Sequence, residues 1–250
     1  MNKQLYPMIF KRKSFHVFRN IGELKITDEE LNDVLEAFKT FMPLVEGIKV
    51  ELRAVKKSSL AIGQEYCLLL YSEVKDHYLQ NIGYLGEQLD LYCVSKNIGT
   101  LWFGLGKTDQ KQKNGLDYVI MIAIRKVDSE THFRKDMYQS KRKSLNQIWS
   151  GEAYQTIGDI VRFAPSAVNS QPWLVEATEN ELKVYRVKTK MAIGNIFGGK
   201  MDFYNQIDIG IFLCFLELSL RHNGICFSKN ICLENEAGLN AIYKIKRNEE

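Results

Sequence analysis

At 250 residues the chain can form one large domain or two small ones. Hydrophobic residues at 45% and charged residues at 26% are ordinary globular usage, which excludes a disordered chain or a fibrous repeat. A net charge of +4 is too slight for a nucleic-acid footprint, although a local basic cluster would still favour an anion such as phosphate.

Along the chain, the stretch Met1 to Lys13 is too short in apolar residues for a signal peptide. Thr27-Asp28-Glu29-Glu30 matches a capping box ahead of Leu31, Val34, Leu35 and Phe38 at helical spacing, predicting a first helix that ends near Met42-Pro43. Lys49 to Val55 alternates like a half-buried strand, and Tyr66 to Tyr71 reads as a buried one. Ile82 to Gly99 predicts a long helix, and Asp117 to Ile124, rich in Val and Ile, a further strand.

After the polar, basic stretch from Asp128 to Ser144 the same order returns. A helix through Ile157, Ile160 and Val161 precedes strands at Trp173 to Thr178 and Leu182 to Val187. A helix from Ile207 to Gly224 follows, then strands near Ile225 to Leu233 and Ala241 to Lys246. Phe41-Met42-Pro43 corresponds to Phe163-Ala164-Pro165, and the two long helices have equal length and end on Gly, as a helix C-cap prefers. The reading is an α+β fold of two similar halves, 1–148 and 149–250, in one intertwined body.

No window approaches the roughly 20 apolar residues of a membrane span; the closest, Ile207 to Leu220, contains Asp208 and Glu217. Cys67, Cys93, Cys214, Cys226 and Cys232 form no CxxC pair and leave an odd one over, as expected of reduced cysteines in a cytoplasmic protein. His16, His77, His132 and His222 have no metal-ligand spacing, so no metal is expected. Gly106-Lys107-Thr108 resembles the end of a phosphate loop, but the leading Gly of that pattern is replaced by Leu101.

Two strings carry chemistry. Arg12-Lys13-Ser14-Phe15-His16-Val17-Phe18 places charged donors and a hydroxyl beside an apolar anchor, a set suited to phosphate or a polyol and equally to a solvated basic turn. Arg162 to Trp173 closes a helix at Pro165 and continues with small residues, Asn169 and Gln171. Backbone amides and an amide side chain could there approach a flat heterocycle, although an ordinary helix-to-strand turn uses the same residue types.

As a whole string, Ala164-Pro165-Ser166-Ala167-Val168-Asn169-Ser170-Gln171-Pro172-Trp173 resembles the signature loop of FMN-dependent nitroreductases. Arg12 to Phe18 resembles that family's opening motif, and Ile98-Gly99-Thr100-Leu101-Trp102-Phe103-Gly104 its turn after the central helix. The resemblance implies a nitroreductase-like fold, with internally duplicated antiparallel-type sheets flanked by helices. It also implies non-covalent FMN, NADH or NADPH as reductant, and a small acceptor; nitroaromatics, quinones, enones and oxygen all remain open.

The family's homodimers build each flavin site from both subunits. Here Arg12, Lys13, Ser14, His16, the Gly104-Leu105 turn and the basic run with Arg142 and Lys143 lie in the first half of the sequence. Pro165, Ser166, Ala167 and Asn169 lie in the second. The complementary strings, Met42 to Gly47 and Trp149 to Thr156, lack those residue types, so the expectation is one FMN in a chain that mimics a dimer and can act as a monomer. No catalytic side chain is required, because the flavin carries the chemistry. His16 stands where the family usually has a permanent cation, which supports the alternative of a flavin carrier or sensor, or of a non-catalytic interaction protein.

Overall fold

The computed structural model describes residues 3–56, 60, 62–188 and 199–246. Two units follow one another along the chain, Met1–Met137 and Tyr138–Glu250, so that residues 138–148, placed by the sequence division with the first half, pack in the second unit.

In the first unit the order is α1 (Met8–Lys11), α2 (Asp28–Phe38), β1 (Val50–Val55), β2 (Tyr66–Ser72), α3 (Tyr78–Ser95), β3 (Ile98–Trp102), β4 (Gln112–Lys113) and β5 (Leu116–Lys126). The Thr27 hydroxyl accepts from the Glu30 amide at 3.1 Å and the Glu30 carboxylate from the Thr27 amide at 3.0 Å, so the expected capping box fixes the start of α2. α2 ends at Phe38, before Met42-Pro43, because turns take over from Lys39. The strands pair antiparallel in the order β1-β2-β5-β3, with β4 on β5.

α3 lies earlier than the apolar stripe suggests, at Tyr78–Ser95 rather than Ile82 to Gly99. Asn97 takes a left-handed conformation (φ 55°), which an Asn tolerates and which stops the helix. Gly99 is therefore a strand residue, not a cap, and Ile98 to Trp102 is β3 instead of a turn. A Cβ on Gly99 would lie 3.0 Å from the Phe15 ring, so the missing side chain makes room for the N-terminal segment.

The second unit runs α4 (Leu145–Ile148), β6 (Trp149–Ser150), α5 (Gln155–Val161), β7 (Trp173–Ala177), β8 (Glu181–Arg186), α6 (Met201–His222), β9 (Phe227–Ile231) and β10 (Leu239–Ile245). Its sheet has the order β6-β7-β8-β10-β9, antiparallel except for the parallel β6–β7 pair. With β4 and β6 set aside, both sheets follow one path: first strand, second, last, third, with the long helix between the second and third.

α6 begins six residues before the expected Ile207, and Gly224 beyond its end has the left-handed φ (+69°) expected of a residue closing a helix. By length and composition α6 could cross a membrane, but 83% of its apolar window is buried inside the protein. Its buried Glu217 is engaged there, accepting from Lys229 at 2.8 Å and from the Tyr243 hydroxyl at 3.0 Å. α6 is a core helix. Cys67, Cys93 and Cys214 are buried thiols, and Cys226 is exposed.

Candidate functional site

In the second unit, the segment between α5 and β7 has a backbone that its sequence alone does not favour. Val168 (φ 47°), Asn169 (φ 57°) and Gln171 (φ 49°) are all left-handed and none is glycine. For a β-branched Val this costs on the order of 1–3 kcal/mol, and such strain persists only where the surroundings over-determine it.

Those surroundings are visible. The Ser166 hydroxyl accepts from the Gln171 amide at 2.9 Å, and Asp208 of α6 accepts from the Ala167 amide at 3.0 Å. The Ser170 hydroxyl donates to Asn205 on the same helix at 3.2 Å. Pro165 is buried, Ser166 and Ala167 are half-buried, and Val168 and Asn169 are exposed at the tip.

The basic run clips onto this loop. Arg142 donates to the Asn169 side-chain oxygen at 2.8 Å and to the Phe163 carbonyl at 3.3 Å, while the Asn169 amide nitrogen donates to the Lys141 carbonyl at 3.1 Å. Lys143 donates to Gln171 twice at 2.8 Å, from its backbone amide to the side-chain oxygen and from its ammonium to the carbonyl. The structure thus brings together two motifs that the sequence assigned to different halves. Burial holds the Lys143 ammonium below its usual range.

Asp208 is the buried acid of this site. Burial pushes its carboxyl up to about 8, against the opposing pull of the Ala167 and Ser170 hydrogen bonds. Nothing in the sequence marked it as more than an interruption of an apolar helix.

In the first unit, Ser14 forms a parallel bridge to Thr100 of β3, and the Phe15 amide donates to the Thr100 carbonyl at 2.9 Å. This turns the Arg12 side chain inward, where it is only 2% exposed. Its Nε lies 2.9 Å from Asp90 and 3.5 Å from Glu87, both on α3 and fully buried. Thr100 donates to Asp90 at 2.5 Å and Trp102 to Glu87 at 3.0 Å.

Burial works against the Arg12 charge, but Asp90 and then Glu87 outweigh it and raise its pKa. Glu87 moves well above the carboxylate range, first by burial and then by the Asp90 charge. Arg12 is therefore a structural cation in this geometry, with one bond, at 3.3 Å, reaching the half-buried Ser14 hydroxyl.

The remaining expected residues of this unit lie nearer the surface. Lys13 is half-buried with its ammonium 4.7 Å from the Phe15 ring centre, and His16 is exposed. The turn after β3 holds half-buried Gly104 and Leu105, which is 59% exposed, and closes through the Gly106 amide on the Phe103 carbonyl at 3.0 Å. Gly106-Lys107-Thr108 leads toward the β4–β5 hairpin and not into the helix a phosphate loop needs. Sequence reading also missed Arg134, whose half-buried guanidinium follows Phe133 and whose backbone amide donates to the Lys11 carbonyl at 2.9 Å.

Comparison with known proteins agrees with this fold. A family described as "Putative TM nitroreductase" matches residues 4–220. A crystal structure of a "putative nitroreductase" from Thermotoga maritima superimposes with a TM-score of 0.61 at 18% identity, covering 98% of this chain and 94% of that one. No curated protein matches the sequence. With the family match spanning most of the chain, and with its own α+β sheets and helices in agreement, the protein belongs to this nitroreductase family and has an oxidoreductase-type fold.

Proposed function

We propose that the protein is an FMN-dependent oxidoreductase that takes electrons from NADH or NADPH and passes them to a small acceptor such as a nitroaromatic or a quinone. The observation that carries the reading is the loop from Phe163 to Trp173, three of whose non-glycine residues are held left-handed by Asp208, Ser166 and the Arg142 clip. A strained, over-determined loop with an exposed amide at its tip is a surface prepared for a ligand.

The residues present fit a flavin mononucleotide. Ser166, Ala167 and Asn169 offer polar backbone and an amide to a heterocycle edge, while Arg142 beside them offers donors to oxygen-rich groups. When bound, FMN would supply the hydride and electron chemistry, and the protein would supply position and field. Arg142 fixes the Asn169 side-chain oxygen, so the tip amide has one defined orientation. Cytoplasmic location and one flavin per chain belong to the same proposal.

The test is reconstitution of purified protein with FMN, followed by anaerobic addition of NADH or NADPH. Flavin absorbance that bleaches with either nicotinamide supports an enzyme. Bound flavin that does not bleach identifies a carrier, and protein that takes up no flavin overturns the reading. Asn169→Ala is expected to fold, because the side chain is exposed, yet to bind FMN about tenfold more weakly and to shift its reduction potential. Unchanged affinity and potential would remove Asn169 from the site.

A further inference from the structure

We propose that the outer edge of β1 is a self-association surface, on which two copies of the chain pair their Val50–Val55 strands antiparallel about a two-fold axis at Leu52. The first ground is the state of the sheet edges. In the first sheet, the outer edge of β3 is met by the N-terminal segment, through the Ser14–Thr100 bridge and the Phe15 amide on the Thr100 carbonyl at 2.9 Å. In the second sheet, β7 holds the place that β1 has in the first, and its outer edge carries β6 as an added strand. β1 pairs with β2 alone, and among the described residues no hydrogen bond reaches its other side. An unpaired edge of this length is a template for another strand.

The second ground is which backbone groups face outward. The Glu73 amide donates to the Lys49 carbonyl at 2.9 Å, one step beyond the Val50–Ser72 pair. Hydrogen-bonding groups alternate along an antiparallel strand, so Lys49, Glu51 and Arg53 turn theirs to β2 while Val50, Leu52 and Ala54 turn theirs outward. A second strand can bond only through those outward residues.

The third ground is charge. With Leu52 opposite its counterpart in the second copy, Val50 meets Ala54, and Glu51 meets Arg53 on each side of the axis. These charged pairs fall in the positions without hydrogen bonds, where side chains come closest, about 4.5 Å between Cα atoms. Moving the axis to Glu51 or to Arg53 would set like charges against each other, so opposite charge selects the register at Leu52. Arg53 is exposed and has no hydrogen bond or ion pair among the described residues. Glu51 is held in place by Lys113 at 3.0 Å and Asn114 at 2.9 Å.

Apolar surface lies beside the same edge. Val50 and Leu52, with Leu35 and Phe38 of α2, line a cleft of about 700 Å³, and the approach of a second Leu52 on that face covers part of it. β9, at the far edge of the second sheet, offers no such match. Its one charged residue, Lys229, is engaged by Glu217 at 2.8 Å, and an edge lysine discourages a further strand.

The whole chain is followed by sedimentation velocity from low to high micromolar concentration. The expected result is a dimer that dissociates on dilution and weakens with added salt. Arg53→Glu and Glu51→Arg are each expected to lower its affinity about tenfold or more, because each places like charges across the axis twice. Mixing these two variants restores opposite charges and is expected to yield a mixed dimer. Ala54→Pro, which removes an outward amide that β2 does not use, is expected to abolish the dimer while leaving the circular dichroism unchanged.

A wild type that stays monomeric throughout, or a dimer indifferent to Arg53→Glu and Ala54→Pro, overturns the proposal, and so does a mixture of the two charge variants that remains monomeric. Glu51→Arg also gives up the bonds to Lys113 and Asn114, so if it fails to fold, Arg53→Glu and Ala54→Pro decide. The pairing does not rest on the flavin reading, and flavin uptake by Arg53→Glu is expected to equal that of the wild type.

Discussion

Replacing Arg12 by alanine is expected to cost about 3–5 kcal/mol of folding stability, the range for removing one partner from a buried ion cluster. The guanidinium is the cation held against the fully buried Asp90 carboxylate, with the buried Glu87 acid beside it, so its loss leaves Asp90 without a counter-charge. Glu87→Gln is expected to change stability by less than about 1 kcal/mol, because burial and Asp90 already favour the neutral acid that an amide imitates. Urea unfolding followed by far-UV circular dichroism measures both. An Arg12→Ala protein with wild-type stability and a selective loss of FMN would return Arg12 to the phosphate and make the cluster incidental.

Asp208→Asn is expected to stabilise the protein increasingly as pH rises. The carboxyl titrates near 3.9 when unfolded and at about 8 in the fold, where burial dominates. Between those values the folded state keeps a proton that the unfolded state has released. The contribution of Asp208 is therefore fully present below about pH 4 and is lost as pH rises toward 8, by about 1.4 kcal/mol per pH unit.

An asparagine does not titrate and can still accept from the Ala167 amide, so it escapes this loss while keeping the loop's anchor. Urea midpoints of the two proteins at about pH 5, 7 and 9 should diverge up to about pH 8 and then run level. Curves parallel across the whole range would mean that Asp208 is solvated or already charged at neutral pH. Asp208→Ala, which removes the acceptor as well, should loosen the loop and weaken flavin binding at every pH.

Both variants act on residues whose chemistry the sequence displayed without their surroundings. The capping box at Thr27, the run of strands and the string from Ala164 to Trp173 were legible because each is a local pattern, fixed by side chains a few positions apart. The end of α3 was less legible, since hydrophobic spacing continued through Val94 and Ile98 while a left-handed Asn97 had already broken the helix. Composition and spacing do not report a single backbone angle.

What only the tertiary structure decided are the contacts between distant positions. Arg142 and Asn169 are 27 residues apart, and Arg12 and Asp90 are 78 apart. The same basic residue reads identically in sequence whether it faces water, a phosphate or two buried carboxylates. Its role is set by what the fold has already neutralised: Arg12 found its counter-charge on α3, whereas Arg134, which no motif marked, has no ion pair among the described residues. The sequence by itself determined the family loop and the α+β class, because these depend on local pattern. The tertiary structure decided which cations remain for a ligand, because that depends on burial and on partners that the chain brings together only when it folds.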